Sequence, residues 1–165
     1  IRRKERIMPY DVEITEVAPQ LVAAIKVHTT LARIGDDIGA GFRTLMMGLG
    51  REGLAPSGAP LIVYPDVIDD ETGGDLEICV PVAGPISGDG EVYSRELEGG
   101  TMAITIHRGP YPEIGLAYHT LTGWVAEHGH EMAAPPREVY LNDPHTVGPE
   151  DLLTRVEFPI CSEQG

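Results

Sequence analysis

Two hydrophobic periods alternate along the chain, and they do so twice. Val22-Ala23-Ala24-Ile25-Lys26-Val27-His28 and Met102-Ala103-Ile104-Thr105-Ile106-His107 read as alternating strands, each closing on a histidine. Apolar residues then recur at spacings of three and four: Ile34, Ile38, Phe42, Leu45, Met46 and Leu49 first, and Ile114, Ala117, Tyr118, Leu121, Trp124 and Val125 later. This period gives a helix with one apolar stripe and predicts helices over 34–49 and 111–127. Gly50-Arg51-Glu52-Gly53 and Gly129 supply their stops. A Pro-containing turn and a short strand follow each helix, Leu61 to Tyr64 and Glu138 to Leu141. A polar loop leads to a last strand ending in proline, Leu76 to Pro81 and Val156 to Pro159.

His28, Tyr64 and Pro81 thus recur in order as His107, Tyr140 and Pro159. The reading is a duplication: two β-α-β-β units related by a pseudo-two-fold axis, with antiparallel sheets and both helices on one side. The fold class is α+β. Tyr10 to Val17 and Glu91 to Leu97 add a strand before each unit, and the Gly- and Pro-rich segment from Gly84 to Gly90 joins the halves, about 8–84 and 91–160. The acidic loops 66–75 and 142–150 are turn-prone and belong on the surface.

Strand parity sorts the polar side chains. In the closing strands Leu76, Ile78 and Val80, and Val156, Phe158 and Ile160, should pack under the helices. Glu77, Cys79, Arg155 and Glu157 then point to the opposite face. If Val63, Val139 and Leu141 take the helix side, Tyr64, Tyr140 and Glu138 join that opposite face. His28 and His107 fall there too, opposite Leu21, Ala23, Ile25 and Val27 and Met102, Ile104 and Ile106. Aromatic walls with a few carboxylates suit organic ligands, lipophilic cations above all. The ordinary alternative is one wet face of an antiparallel sheet.

The formal net charge of −14 argues against nucleic-acid binding by this chain itself. No apolar run approaches the roughly 20 residues that span a bilayer, so no membrane partner is expected and a cytoplasmic location is. Cys79 and Cys161 read as reduced thiols. Four of the twelve basic residues lie in Ile1 to Arg6. That segment, 1–7, is either a short extension ahead of Met8 or the end of a helix arriving from an upstream domain.

His107-Arg108-Gly109-Pro110-Tyr111, the aromatic Trp124, Glu138-Val139-Tyr140-Leu141-Asn142-Asp143-Pro144 and Leu153 to Ile160 together resemble the GyrI-like family, and Asp75 to Val82 resembles the matching strand of the first half. The likeness runs from Met8 to Ile160, leaving 161–165 as a tail. It implies an effector-binding domain whose two units enclose a ligand cleft lined by aromatics and a buried Glu. It further implies a sensor of lipophilic or cationic aromatic compounds, the effector part of a bacterial MerR-type or AraC-type transcription regulator with an upstream DNA-binding domain. The alternative it implies is a stand-alone hydrolase acting on strained electrophiles with a Glu as general acid/base. One departure stands out: the family's closing strand more often carries Glu where this chain has Arg155, and Glu157, two residues on, is the substitute.

The expected ligand residues are Tyr64, Glu77, Tyr111, Trp124, Glu138, Tyr140 and Glu157; in an enzyme Glu157 and Tyr140 would be catalytic. His128-Gly129-His130 lacks a supporting Cys or Asp cluster, so no metal is expected. The glycines from Gly35 to Gly41 lack phosphate-loop spacing and serve close helix packing. No cofactor is expected, and a homodimer is compatible with the sequence.

Overall fold

The computed structural model describes residues 10–87 and 90–162, so the reading of 1–7 and most of the tail lie outside the described residues. Among the described residues nine strands form: β1 (Glu13–Val17), β2 (Gln20–Thr29), β3 (Leu61–Val63), β4 (Gly74–Pro81), β5 (Val92–Leu97), β6 (Gly100–Arg108), β7 (His130–Met132), β8 (Arg137–Tyr140) and β9 (Leu153–Ser162). Two helices, α1 (Ile34–Arg51) and α2 (Gly115–Glu127), complete the fold. A single 3-10 turn, Tyr111–Glu113, precedes α2, because Pro110 fixes an extended entry and delays the regular helix to Gly115. β9 continues past Pro159 to Ser162, carrying β7 along its far end.

Every strand pairing is antiparallel, in the order β1-β6-β9-β8-β3-β4-β2-β5. The order reads alike from both ends and reverses between β8 and β3, so the expected pseudo-two-fold axis passes between these strands. The extra strands are exchanged: β1 pairs with β6 of the second half, and β5 with β2 of the first. Each half therefore completes the sheet of the other.

Tyr64 and Tyr140, 76 residues apart, mark the same place in the two units. At that spacing Ile62 is paired across the axis with its own counterpart, Glu138. The register Ile62–Ile78–Ile25 in one half then matches Glu138–Val156–Thr105 in the other. By this match Val27, and not His28, is the counterpart of His107. The two histidines are one residue out of step, and one residue reverses the face.

α1 packs on Ala23, Ile25, Ile62, Leu76, Ile78 and Val80; α2 packs on Ala103, Val156, Phe158 and Ile160, on the same side of the sheet. Gly41 permits the first contact, since a Cβ there would lie 2.8 Å from Ile78 Cδ1 and 2.9 Å from Val27 Cγ2. The opposite face is not a wet sheet at the axis. Val22, Ala24, Leu61, Val63, Cys79, Leu97 and Val139 form a second buried layer there. The β5–β6 turn crosses it, and a Cβ on Gly99 would lie 2.2 Å from Val17 O in the β1–β2 turn. Arg137 ties this lid to β8 by donating from Nη2 to the Glu98 carbonyl.

Candidate functional site

Antiparallel partners directly opposite share a face, which settles parity. Glu138 opposes Ile62 and Val156, and Tyr140 opposes Thr154, so Glu138 and Tyr140 lie on the helix face. Tyr64, which packs on the α1 core, lies there too. This corrects the expectation that they share the opposite face with Glu77 and Glu157. Val63 and Val139 are indeed buried, but under the β-turns and not under the helices. Where both faces of a strand are dry, hydrophobicity carries no parity. His107 is corrected likewise: Ala103, Thr105 and His107 face the helices, while Ile104 and Ile106 face away.

On the helix face a buried carboxylate sits among phenols. Tyr118, from the apolar stripe of α2, donates its hydroxyl to Glu138 Oε2 at 2.6 Å. Tyr140 donates to Oε1 at 2.8 Å, and the Tyr64 hydroxyl follows 3.5 Å from that of Tyr140. Tyr111 meets the Tyr140 ring edge-on, with centroids 5.7 Å apart, and is partly exposed. Burial pushes the Glu138 carboxyl above its ordinary value, against the opposing pull of Tyr118, Tyr140 and nearby His107. Burial and then the Glu138 charge push the Tyr118 and Tyr140 hydroxyls up, so both remain donors. Among the described residues no Lys or Arg forms an ion pair with Glu138.

His107 lies across β9 from Tyr140, opposite Thr154. Its Nε2 lies 3.0 Å from the Pro110 carbonyl, which can only accept, so Nε2 carries the proton. Nδ1 is then free to accept from the Tyr10 hydroxyl at 2.8 Å. The pair clamps the turn that presents Tyr111.

The other expected site residues are elsewhere. Glu77 receives Arg95 through Nε at 2.9 Å and Nη2 at 2.7 Å, and the Tyr93 hydroxyl at 2.5 Å. Burial raises its pKa, but these partners outweigh burial and hold it below the usual carboxylate range. Glu157 receives Arg155 Nε at 2.8 Å, with Arg137 Nη1 at 3.9 Å. Both Glu are buried on the face away from the helices and already compensated. Glu157 and Tyr140 point to opposite faces, so they cannot act as a catalytic pair. Trp124 stacks on His128 at 4.0 Å and His130 at 5.8 Å, two turns of α2 beyond Tyr118. It is a packing residue. An open cavity of about 520 Å³ does lie on the far face, over Ile104, Ile106, Arg155 and Glu157. Arg155 and Glu157 on its floor pair with each other, Asp11 and Glu13 also line it, and it has no aromatic wall, so the phenol-lined carboxylate is the stronger candidate.

Tyr118 and His107's role as a clamp were not foreseen. Tyr118 reads as one more residue of an apolar stripe, yet a buried tyrosine needs a partner for its hydroxyl, and the unmatched acid Glu138 was its natural acceptor.

The GyrI-like small-molecule-binding domain model matches residues 10–160, and the chain belongs to that family. No curated protein sequence matches it. Its fold is similar to that of EcmrR in a DNA complex, with TM-score 0.83 and 23% identity over 96% of this chain and 60% of that chain. The EcmrR C-terminal domain alone gives TM-score 0.77 at 22% identity, covering 94% of this chain and 99% of that one. This chain thus spans 60% of the DNA-bound EcmrR chain. A hydrolase from Listeria innocua is similar at TM-score 0.66 and 12% identity, with 91% of each chain covered. SAV2435 bound to tetraphenylphosphonium is similar at TM-score 0.59 and 14% identity, over 92% of this chain and 94% of that chain.

Proposed function

We propose that this domain binds a lipophilic organic cation at Glu138, and that it is the effector-binding part of a bacterial, cytoplasmic transcription regulator responsive to such compounds. One observation carries the reading: of the three buried glutamates among the described residues, Glu77 and Glu157 have arginine partners and Glu138 has only hydroxyls. A buried carboxylate without a counter-charge is costly, and a cation entering among the phenols would supply that charge and stack on the rings. Tyr64, Tyr111, Tyr118 and Tyr140 are the aromatic contacts and Glu138 the anchor. SAV2435, of like fold, was solved with tetraphenylphosphonium, which supports the ligand class. The fold shared with EcmrR supports the regulator context.

Calorimetry with tetraphenylphosphonium and neutral triphenylphosphine oxide tests the site. Glu138→Gln should weaken the cation by about tenfold or more and leave the neutral compound within about twofold. Equal loss for both, or no loss for either, would overturn the anchor. A helix-turn-helix encoded upstream of Ile1 would support the regulator context; a gene starting at Met8 would refute it.

A hydrolytic reading has one observation in its favour. Glu138, raised by burial and hydrogen-bonded by two phenols, holds its proton to higher pH than an ordinary carboxyl, which suits a general acid. Turnover of a strained electrophile that Glu138→Gln abolishes while sparing binding would establish it.

A further inference from the structure

The helix face holds a second polar group for which the cation reading has no use. Thr154 on β9 is fully buried, and its Oγ1 has no hydrogen-bond partner. The other buried threonines are satisfied: Thr29 donates to Asp37 at 2.7 Å and Thr105 to the Asp11 carbonyl at 2.6 Å. The strand register sets Thr154 in one row between His107 of β6 and Tyr140 of β8, on the face of the phenol cluster. Directly opposed residues have Cβ atoms about 4.5–5.5 Å apart, so both neighbours crowd the hydroxyl. Neither is its partner: both ring nitrogens of His107 are engaged by Tyr10 and Pro110, and the Tyr140 hydroxyl donates to Glu138 and lies 3.5 Å from that of Tyr64. Valine would fill the same volume without the penalty of an unmatched hydroxyl. Glu138 is the diagonal neighbour of Thr154, at about the 7–8 Å expected of such pairs.

We propose that Thr154 is a second, specificity-determining anchor of this site, its hydroxyl hydrogen-bonding an uncharged polar group of the ligand whose cationic centre Glu138 holds. The proposal rests on the cation-site reading above and narrows it. The ligand class becomes an aromatic organic cation carrying a hydroxyl, ether, carbonyl or amide about one ring's length from its charge. A hydrocarbon cation fills the cage and leaves the Thr154 hydroxyl unmet.

A matched pair of probes isolates this term: [4-(hydroxymethyl)phenyl]triphenylphosphonium and its 4-ethylphenyl isostere, which differ by a hydroxyl against a methyl. Affinities for both are measured by calorimetry on the wild type, Thr154→Val, Thr154→Ser and Glu138→Gln, with melting temperatures of the ligand-free proteins. The ratio of the two affinities should shift by about 3- to 10-fold toward the ethyl compound in Thr154→Val, the size of one hydrogen bond, and stay at the wild-type value in Thr154→Ser. Ligand-free Thr154→Val should melt no lower than the wild type. An unchanged ratio in Thr154→Val with both cations still bound overturns the proposal and leaves the cation site standing. So does a fall in melting temperature of about 3 °C or more, the mark of a structural hydrogen bond. If neither cation binds the wild type, or Glu138→Gln weakens neither, the cation reading fails and this proposal falls with it.

Discussion

Glu138 differs from an ordinary buried carboxyl in being hydrogen-bonded by hydroxyls alone, and that makes it a titrating group with two readouts. Burial raises its pKa in the folded protein, so between its ordinary value and the raised one the native state binds more protons than the unfolded chain. Its contribution to stability is therefore fully present below the ordinary carboxyl range and is lost as pH rises through the folded value. Glu138→Gln should flatten that part of the pH–stability curve, measured by denaturant unfolding from pH 4 upward. Cation binding requires the ionised form, so affinity should rise with pH across the same window. Calorimetry in buffers of different ionisation enthalpy should show up to one proton released per cation bound, and proton uptake would contradict the site. Trp124→Phe makes the contrasting case. Trp124 stacks on His128 and His130 and not in the phenol cluster, so cation affinity should stay within about twofold, whereas Tyr140→Ala should lose about 0.5–2 kcal/mol of stacking. Which residues cluster was partly legible: Tyr64, Tyr111, Glu138 and Tyr140 come together, while Glu77, Trp124 and Glu157 lie elsewhere. Orientation was not: Glu138 and Tyr140 lie on β8 and Tyr64 directly follows β3, strands dry on both faces, where alternation has no wet side to name.

The helices and closing strands follow their sequence pattern closely because each has one apolar side. Leu76, Ile78 and Val80 lie under α1 as alternation requires. Close packing at Gly41 has a testable sign. Gly41→Ala crowds Ile78 and Val27, which costs about 1–3 kcal/mol. Alanine's better helix propensity returns about 1 kcal/mol of that. A net loss of about 1 kcal/mol should appear by chemical denaturation. Gly39→Ala, two residues away in α1, meets only the Arg43 tip at 3.6 Å and should instead gain up to about 1 kcal/mol. Equal effects at both sites would show that α1 does not press on β4 through Gly41. Strand partners were the part that local pattern could not supply. Glu91 to Leu97 reads as a strand from its own residues, but nothing in its period says that it joins β2 and not β6.

At the scale of the molecule that exchange decides how the halves can exist. Cutting the chain in its 84–90 joint should not release two folded domains. The fragment 10–87 would lack β5 against β2, and the fragment 90–162 would lack β1 against β6. Expressed alone, each should be insoluble or unstructured by circular dichroism, and co-expressed they should recover a complex; an independently folded half would show the exchange to be dispensable. The pairing of Ile62 with Glu138 at the axis has an ancestral consequence. A true dimer of identical chains must repeat whatever lies on its symmetry axis, giving two facing carboxylates that repel each other or two isoleucines with no charge. Only after a gene has doubled and its copies have drifted apart can one side keep the acid and the other the hydrocarbon. On the proposed reading, a receptor for a single positive charge at the centre of a two-fold scaffold is thus a property that duplication made accessible to selection.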